Sequence, residues 1–156
     1  TLFGYSPKIH MDPRIIINRR NRFYMRFCCK DFANWLESIT HKKEIIPTEI
    51  LNANEGIIKP FLMGLMDSEG TISKNNSGWA CSFGVISPWC SDIYNLFKRM
   101  GVKLGVINTY NWGGKPFIRF TINIRSFDEK GFYFSIKRKN DLLYEINVKK
   151  ENNFEF

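Results

Sequence analysis

The sequence has few of the residues from which most zinc sites are built, and it lacks the spacing that such sites show. It contains four cysteines and two histidines in 156 residues, and no two cysteines form a C-x-x-C pair. Structural zinc sites usually take four such ligands at short, regular spacings. The spacing therefore argues against a zinc-binding domain. Cys28 and Cys29 are adjacent in a Phe-rich run, which is typical of buried thiols in a reducing compartment.

Long hydrophobic segments are also missing. No apolar run approaches the ~20 residues that a membrane-spanning helix requires, and no N-terminal signal peptide is visible. We therefore expect a protein that neither crosses a membrane nor is secreted. Together with the reduced cysteines, this predicts an intracellular location, either the cytoplasm of a prokaryote or an organelle.

Acidic residues are few relative to basic ones. Lys and Arg number 23 and Asp and Glu number 15, which gives a formal net charge of +8 and a pI of about 9.4. A basic surface favours polyanionic partners, either nucleic acid or an acidic membrane face. Apolar residues make up 44% of the chain and include fourteen Phe, so we expect a packed core rather than global disorder.

The N-terminal region has the pattern of a small hairpin followed by a helix. Residues 14–27 place two apolar arms around a polar centre at residues 18–21, which is a hairpin pattern. Residues 14–30 contain six basic residues and no acid. These charges either protect a solvent-exposed strand edge from pairing or let the hairpin bind the phosphates of a nucleic acid. Residues 31–41 follow with the apolar spacing of a helix.

The rest of the chain alternates between helices and pairs of strands. The predicted elements are a helix at residues 59–67, strands on either side of 75–78, a helix at 87–100, strands on either side of 111–114, and a helix at 138–148. The helix at 59–67 has Pro60 in its first turn, where proline is tolerated. The order α-β-β-α-β-β-α predicts an α+β fold with helices on one face of an antiparallel sheet.

The second strand of the last hairpin alternates strictly between apolar and polar residues. Its apolar side chains are Ile118, Phe120, Ile122 and Ile124. Its polar side chains are Arg119, Thr121 and Asn123. In an antiparallel sheet, such alternation indicates one face in the core and one face turned toward solvent or a polar partner.

The stretch FLMGLMDSEGTI at residues 61–72 breaks two local rules. Asp67 and Glu69 lie at the end of a helix, where the partial negative charge of the carbonyls disfavours acids. Gly64 lies inside the helix, where glycine costs ~1 kcal/mol relative to alanine. Gly64 and Ser68 lie four residues apart, and such small residues allow another backbone to approach closely. Departures of this kind often mark a functional site.

Residues 62–70, LMGLMDSEG, resemble the signature of the LAGLIDADG homing endonucleases. The direct matches are Leu62, Gly64, Leu65, Asp67 and Gly70. Three further residues are commonly accepted substitutions, namely Met66, Ser68 and Glu69, while Met63 is a looser replacement for Ala. The resemblance covers residues 44–148. It implies the LAGLIDADG homing-endonuclease fold, an α-β-β-α-β-β-α arrangement with a saddle-shaped antiparallel sheet and helices on one face.

The resemblance also implies a function. Members of this family are intron-encoded nucleases that cleave double-stranded DNA at specific sequences, with Mg²⁺ or Mn²⁺ as the divalent metal that supports hydrolysis. Two motif helices pack side by side in such proteins. We therefore expect double-stranded DNA as a partner, together with either a homodimer or a second LAGLIDADG repeat. No membrane and no small-molecule substrate are expected.

The resemblance assigns roles to residues at the end of the motif helix. The expected helix-interface residues are Gly64, Asp67 and Ser68. Glu69 matches the metal-binding acid, and the backbone carbonyl of Ser68 is a second expected metal ligand. Lys139 matches the lysine that gives electrostatic support to the phosphate and the water network, with Lys137 as the alternative.

DNA readout is expected from the polar face of the sheet. Antiparallel ribbons fit the major groove, where Arg and Asn can recognise guanine and adenine edges. The strand positions expected to face DNA are Thr71, Ser73, Asn75, Ser82, Arg119, Thr121 and Asn123. Phosphate contacts are expected from Arg19, Arg20, Arg22 and Lys137. The register of the strand near residues 104–110 stays open.

Only one motif is present. Residues 1–53 are too few for a complete first repeat, although their strand, strand, helix pattern is similar to the end of one. We therefore predict an N-terminal hairpin plus helix at 1–53 and an endonuclease domain at 54–156. A homodimer, a fragment of a two-repeat protein and an inactive remnant all stay open.

Other functions also stay open. The first alternative is a non-cleaving nucleic-acid-binding relative, either an RNA maturase for intron splicing or a DNA-binding regulator. The second is the endonuclease part of an intein.

Overall fold

The structure is a computed structural model and describes residues 8–11, 23–26, 30–40, 45–75, 78–85 and 89–151. The chain divides into two compact units, Thr1–Lys43 and Glu44–Phe156, and each is described by itself. Among the described helices, none combines the length and the apolar character that crossing a membrane would take.

The first unit contains a two-stranded antiparallel sheet and one helix among its described residues. Strand β1 spans Lys8–Met11, strand β2 spans Phe23–Arg26, and helix α1 spans Lys30–Thr40. Helix α1 confirms the helix predicted at residues 31–41. Strand β1 lies before the predicted hairpin stretch. The first arm and polar centre of that stretch lie outside the described residues, and so do Arg19, Arg20 and Arg22.

The second unit contains a four-stranded antiparallel sheet and five helices among its described residues. Its elements are, in order, α2 (Thr48–Leu51), α3 (Glu55–Ser68), β3 (Gly70–Asn75), β4 (Gly78–Val85), α4 (Cys90–Arg99), β5 (Asn108–Trp112), β6 (Lys115–Thr121), α5 (Ile124–Glu129) and α6 (Lys137–Glu151). The strand order is β3-β4-β6-β5. The α+β class and the antiparallel sheet are confirmed.

Two short helices were not predicted. Helix α2 has four residues and follows Pro47, in a stretch that the sequence pattern presents as a connection. Helix α5 has six residues, and the Asn123 side chain caps it by accepting a hydrogen bond from the Ser126 N–H over 2.9 Å. Both helices are too short to show a helical repeat of apolar residues in the sequence.

Helix α3 begins earlier than predicted. It starts at Glu55 rather than residue 59, so Pro60 lies inside the helix and not in its first turn. Ile58, Leu62 and Met66 recur every four residues and have no exposed surface. This apolar stripe of α3 therefore faces the core.

Glycines at two turns confirm the predicted ends of elements. Gly101 follows α4 with φ of 74°, and the next residue, Val102, donates from its N–H to the Phe97 carbonyl over 3.1 Å. That bond closes the helix in a left-handed C-terminal turn. Gly113 and Gly114 have φ of 58° and 79° and form the tight turn between β5 and β6.

The core lies on one face of the sheet. Ile72, Phe83 and Phe120 point from β3, β4 and β6 into a cluster with buried side chains of α3, α4, α5 and α6. Phe97 of α4 and Phe127 of α5 complete the aromatic centre of this cluster, with ring centroids 6.4 Å apart. The opposite face of the sheet carries the polar residues of the same strands, so the predicted alternation is confirmed over residues 118–121.

Candidate functional site

Lys139 of α6 lies beneath the C-terminus of α3. The residue is 7% exposed. The Nζ atom donates to three backbone carbonyls at the junction of α3 and β3, those of Met66 at 2.9 Å, Asp67 at 2.7 Å and Gly70 at 2.6 Å. An ammonium group has three N–H donors, so these contacts use all of them. Its positive charge offsets the partial negative charge of the helix end.

Burial and neighbouring charges act on Lys139 in opposite directions. Burial lowers the pKa of Lys139 below its ordinary value of 10.5, and the nearby Asp67 carboxylate opposes this shift. Lys137, by contrast, is exposed, and its ammonium group pairs with the Asp141 carboxylate over 2.8 Å one helical turn away. Of the two lysines that the sequence left open, Lys139 is the one placed at the motif.

Gly70 makes the close approach at the end of α3 possible. A Cβ atom at this position would lie 2.5 Å from the Met66 carbonyl oxygen and 2.7 Å from the Met66 methyl carbon. The backbone leaves the helix and enters β3 within two residues, and only glycine fits this turn without displacing its neighbours. The direct change from helix to strand that marks the motif therefore depends on Gly70.

The Asp67 carboxylate points at the beginning of α6. It accepts hydrogen bonds from the Ser135 N–H, at 3.0 Å and 3.1 Å to its two oxygens, and from the Ile136 N–H at 3.4 Å. These amides precede the first turn of α6, where an acid is favoured by the helix dipole. Asp67 thus lies at the C-terminus of α3, where the helix dipole disfavours an acid, but its carboxylate contacts the N-terminus of α6, where an acid is favoured.

Glu69 is placed differently from Asp67. Its backbone N–H donates to the Leu65 carbonyl over 2.8 Å and closes α3, while its side chain is exposed. Among the residues that the structure describes, none forms a hydrogen bond or ion pair with its carboxylate. The Ser68 carbonyl beside it is not one of the three that Lys139 binds. An acid and a carbonyl oxygen therefore stand together at the surface.

These two oxygen donors fit a hard divalent cation in kind but not in number. Mg²⁺ prefers about six oxygen ligands. The described part of the chain has no group of three or more His, Cys, Asp or Glu side chains that could hold a metal ion. Within the described part of the chain, Glu69 and the Ser68 carbonyl thus supply too few ligands for a complete metal site.

The outer face of α3 leaves room for another backbone. Gly64 is exposed, and a Cβ atom built on it would meet nothing within 4 Å. Ser68 is exposed one turn further along, with its hydroxyl donating to the Leu65 carbonyl over 3.1 Å. No described residue of this chain therefore requires the glycine at position 64.

The polar face of the sheet brings together four of the seven predicted DNA-facing residues. Thr71, Ser82 and Thr121 lie side by side across β3, β4 and β6. Arg119 lies on the same face, and its guanidinium donates to the Ser82 hydroxyl. Ser82 is 3% exposed, because the strands and Arg119 surround it, whereas Thr71 and Thr121 are exposed.

The other three residues are placed at the margins of this face. Ser73 lies two residues beyond Thr71 and is half-buried. Asn75 ends β3 opposite Gly78. Asn123 lies beyond the end of β6, and its side chain caps α5. Lys137 lies on α6 and is engaged with Asp141.

The register of β5 adds two residues that the sequence reasoning missed. Asn108 lies opposite Arg119, and Tyr110 lies opposite Phe117, so both share the polar face and both are exposed. The two-glycine turn at residues 113–114 was the available signal. This turn places Trp112 opposite Lys115. Since alternate residues of a strand share a face, Tyr110 and Asn108 then lie on the same face as position 112.

The two described cysteines do not supply a nucleophile. Burial raises the pKa of Cys81 to about 12 and the pKa of Cys90 to about 11. Both are therefore neutral thiols at physiological pH. Cys28 and Cys29, which the sequence predicted to be buried thiols, lie outside the described residues.

No protein-family model and no solved structure matches this chain. A segment of 77 residues is 36% identical to part of the ATP-dependent DNA helicase Hel308 of Thermococcus kodakarensis. The match covers 46% of this chain and 7% of the helicase. The chain is thus similar to a small segment of a much longer protein that acts on DNA.

Proposed function

We propose that this chain is one half of a LAGLIDADG-type homing endonuclease that cleaves double-stranded DNA at a specific sequence. The proposal rests on one observation above all. The exposed carboxylate of Glu69, directly after α3, forms no hydrogen bond or ion pair with a described residue, whereas Asp67 and Lys139 are hydrogen-bonded within the fold. An exposed carboxylate that lacks such a bond, next to the junction of α3 and β3 that Lys139 holds, suits a ligand from outside the chain.

The outer face of α3, which carries Gly64 and Ser68, supports association of two such helices. Gly64 and Ser68 present little side-chain volume, and the glycine has no role within the described fold. Packing two α3 helices along this face would bring two Glu69 carboxylates and two Ser68 carbonyls to one place. That set supplies four oxygen donors, which suits Mg²⁺ or Mn²⁺ with water filling the remaining positions. The metal, when bound, would activate water and stabilise charge on the scissile phosphate.

Lys139 would act on this site without touching the phosphate. All three of its N–H donors are used, two by the α3 carbonyls of Met66 and Asp67 and one by the carbonyl of Gly70 at the start of β3. Its role is to fix the position of the Ser68-Glu69 turn and to supply positive charge next to it. Lys139 is therefore proposed as a positioning residue.

The polar face of the sheet is the proposed DNA-binding surface. Arg119, Thr121 and Thr71 are exposed there, and Tyr110 and Asn108 extend the surface on β5. An antiparallel ribbon with such side chains can enter the major groove. The net charge of +8 favours association with DNA phosphate. The partial likeness to a DNA helicase agrees with a DNA partner, although the sequence has no G-x-x-x-x-G-K-[ST] nucleotide-binding motif.

A second candidate is the endonuclease part of an intein. A single observation favours it, namely that the match covers 77 residues but only 7% of a protein with another activity. An inserted element would match a host protein in this limited way. A third candidate is a binding module that does not cleave. It is favoured because the described residues include no group of three or more His, Cys, Asp or Glu side chains that could hold a metal ion.

Cleavage and binding can be separated with Glu69→Gln. A DNA ligand is first selected from a randomised duplex library with the full chain, and cutting is then measured with Mg²⁺ and with Ca²⁺. Because no described contact uses the carboxylate, we expect the variant to fold and bind DNA as before but to lose cleavage at least about 100-fold. Cleavage by the variant at the original rate would contradict the nuclease proposal, and binding without any cleavage by the original protein would favour the binding module.

Association is tested by light scattering during gel filtration. The expected particle has twice the mass of the 18.4 kDa chain, at least when DNA is bound. Gly64→Leu should leave the fold intact, because the space around Gly64 is open, and should convert this dimer to a monomer. A particle of monomer mass on DNA would rule out the homodimer.

A further inference from the structure

Arg119 is held in one orientation on the polar face of the sheet. Its Nε donates to the Ser82 hydroxyl oxygen over 3.1 Å and its Nη2 over 2.7 Å. Ser82 lies on β4, and Arg119 lies diagonally across from it on β6, where its direct partner is Gly84. Because Ser82 is 3% exposed and belongs to a central strand, its hydroxyl is a rigid anchor.

Gly84 leaves space for the aliphatic part of the Arg119 side chain. A Cβ atom on Gly84 would lie 2.7 Å from the Phe117 ring and 3.2 Å from Cβ and Cγ of Arg119. The missing side chain at position 84 therefore makes room for both of these residues. A long, flexible side chain on a sheet surface normally samples many rotamers, whereas here one hydrogen-bonded edge and the packed stem restrict it.

The anchor leaves the outer edge of the guanidinium available. The group has five N–H donors, one on Nε and two on each Nη atom. Ser82 engages the Nε–H and one N–H of Nη2. Three donors remain, and two of them lie side by side at the tip of the exposed Arg119, one on each Nη atom. This spacing matches the O6 and N7 acceptors that guanine presents in the major groove.

We propose that Arg119 selects guanine at one position of the DNA site contacted by each copy of this chain, and that Ser82 is its positioning residue. The inference rests on the proposed DNA-binding function and makes it more specific. Ser82, which the sequence suggested as a DNA contact, then acts through Arg119 instead. A fixed arginine loses less conformational entropy on binding than a free one, so the anchor increases discrimination between bases.

The base preference of the full chain and its variants tests this. A randomised duplex library is enriched by the original protein, and the resulting site is then varied one base pair at a time in binding titrations. We expect a guanine whose replacement weakens binding about tenfold or more. Arg119→Lys keeps the charge but lacks the two parallel donors, so the preference at that one position should disappear while the others remain.

Ser82 is tested with a pair of variants. Ser82→Ala removes the anchor and should weaken the same guanine preference, while Ser82→Thr keeps a hydroxyl and should retain it. Arg125→Ala is the matched control, because Arg125 lies on α5, pairs with Glu129 over 2.8 Å and is not on the sheet. It should leave every base preference unchanged. Thermal melting of each variant shows that the fold is kept.

The outcomes separate this inference from the proposed function. No enriched sequence with the original protein would overturn both. An enriched site whose base preferences survive Arg119→Lys would overturn this inference alone. Loss of preference at one guanine with Arg119→Lys and Ser82→Ala, but not with Ser82→Thr or Arg125→Ala, is the supporting result.

Discussion

Asp67 and Lys139 join the ends of two helices by a reciprocal exchange of hydrogen bonds. The Lys139 ammonium, from α6, donates to the Asp67 carbonyl over 2.7 Å at the end of α3. The Asp67 carboxylate, from α3, accepts from the Ser135 N–H over 3.0 Å at the beginning of α6. Each helix thus supplies the charge that the end of the other requires. Glu69 is left out of this exchange, which is why it is the candidate for an external ligand.

Removing Lys139 should destabilise the second unit strongly. Lys139→Met would leave the carbonyls of Met66, Asp67 and Gly70 without this donor in a buried place. We expect the free energy of unfolding to fall by about 2–5 kcal/mol, measured by urea denaturation. Lys137→Met is the matched control, since Lys137 is exposed, and its effect should stay within about 0.5 kcal/mol. Equal effects of the two variants would contradict the placement of Lys139.

Asp67 and Lys139 should be energetically coupled. Asp67→Ala removes the acceptor from the beginning of α6 and should cost about 1–2 kcal/mol of unfolding free energy. Combined with Lys139→Met in a double-mutant cycle, we expect a coupling of about 1–3 kcal/mol. The exposed pair of Lys137 and Asp141 serves as the reference, with a coupling of about 0.5 kcal/mol or less. Additive effects at Asp67 and Lys139 would show that the two contacts act independently.

Two glycines of the motif should respond in opposite ways to alanine. Gly64→Ala adds a methyl group in open space within a helix, so the unfolding free energy of the isolated chain should rise by about 0.5–1 kcal/mol. Gly70→Ala places a Cβ 2.5 Å from the Met66 carbonyl oxygen and should lower it by about 1–3 kcal/mol. Measurements at low protein concentration keep any association out of the comparison. Destabilisation by Gly64→Ala would indicate a contact that the described fold does not contain.

Cys81 and Cys90 should be unreactive in the folded protein at pH 8. Burial raises the pKa values of the two thiols to about 12 and about 11, above the ordinary value of 9.0, so the reactive thiolate is scarcer in the folded chain than in the unfolded chain. The associated stability is complete below pH 9 and is lost as the pH rises through these values. Labelling with iodoacetamide and peptide mapping, with and without urea, measures this. Rapid labelling of Cys81 without urea would contradict its burial.

The order of the elements could be predicted because its signals are local. Helical spacing of apolar residues, strict alternation in β6 and glycines after α4 and between β5 and β6 act over a few residues. Helices α2 and α5 were missed because four or six residues carry no periodic signal. The early start of α3 was missed because Pro60 suggested a first turn there.

The sequence by itself determined which residues are unusual, and the tertiary structure decided what they do. Asp67, Glu69 and Gly64 each break a local rule that can be stated from the chain alone. Only the fold shows that Asp67 is satisfied by the beginning of α6, 68 residues away, whereas Glu69 has no such partner among the described residues. Contacts between residues so far apart in the chain depend on how the helices pack on the sheet. A local sequence pattern can indicate that such residues are unusual, but it does not identify the residues that they contact.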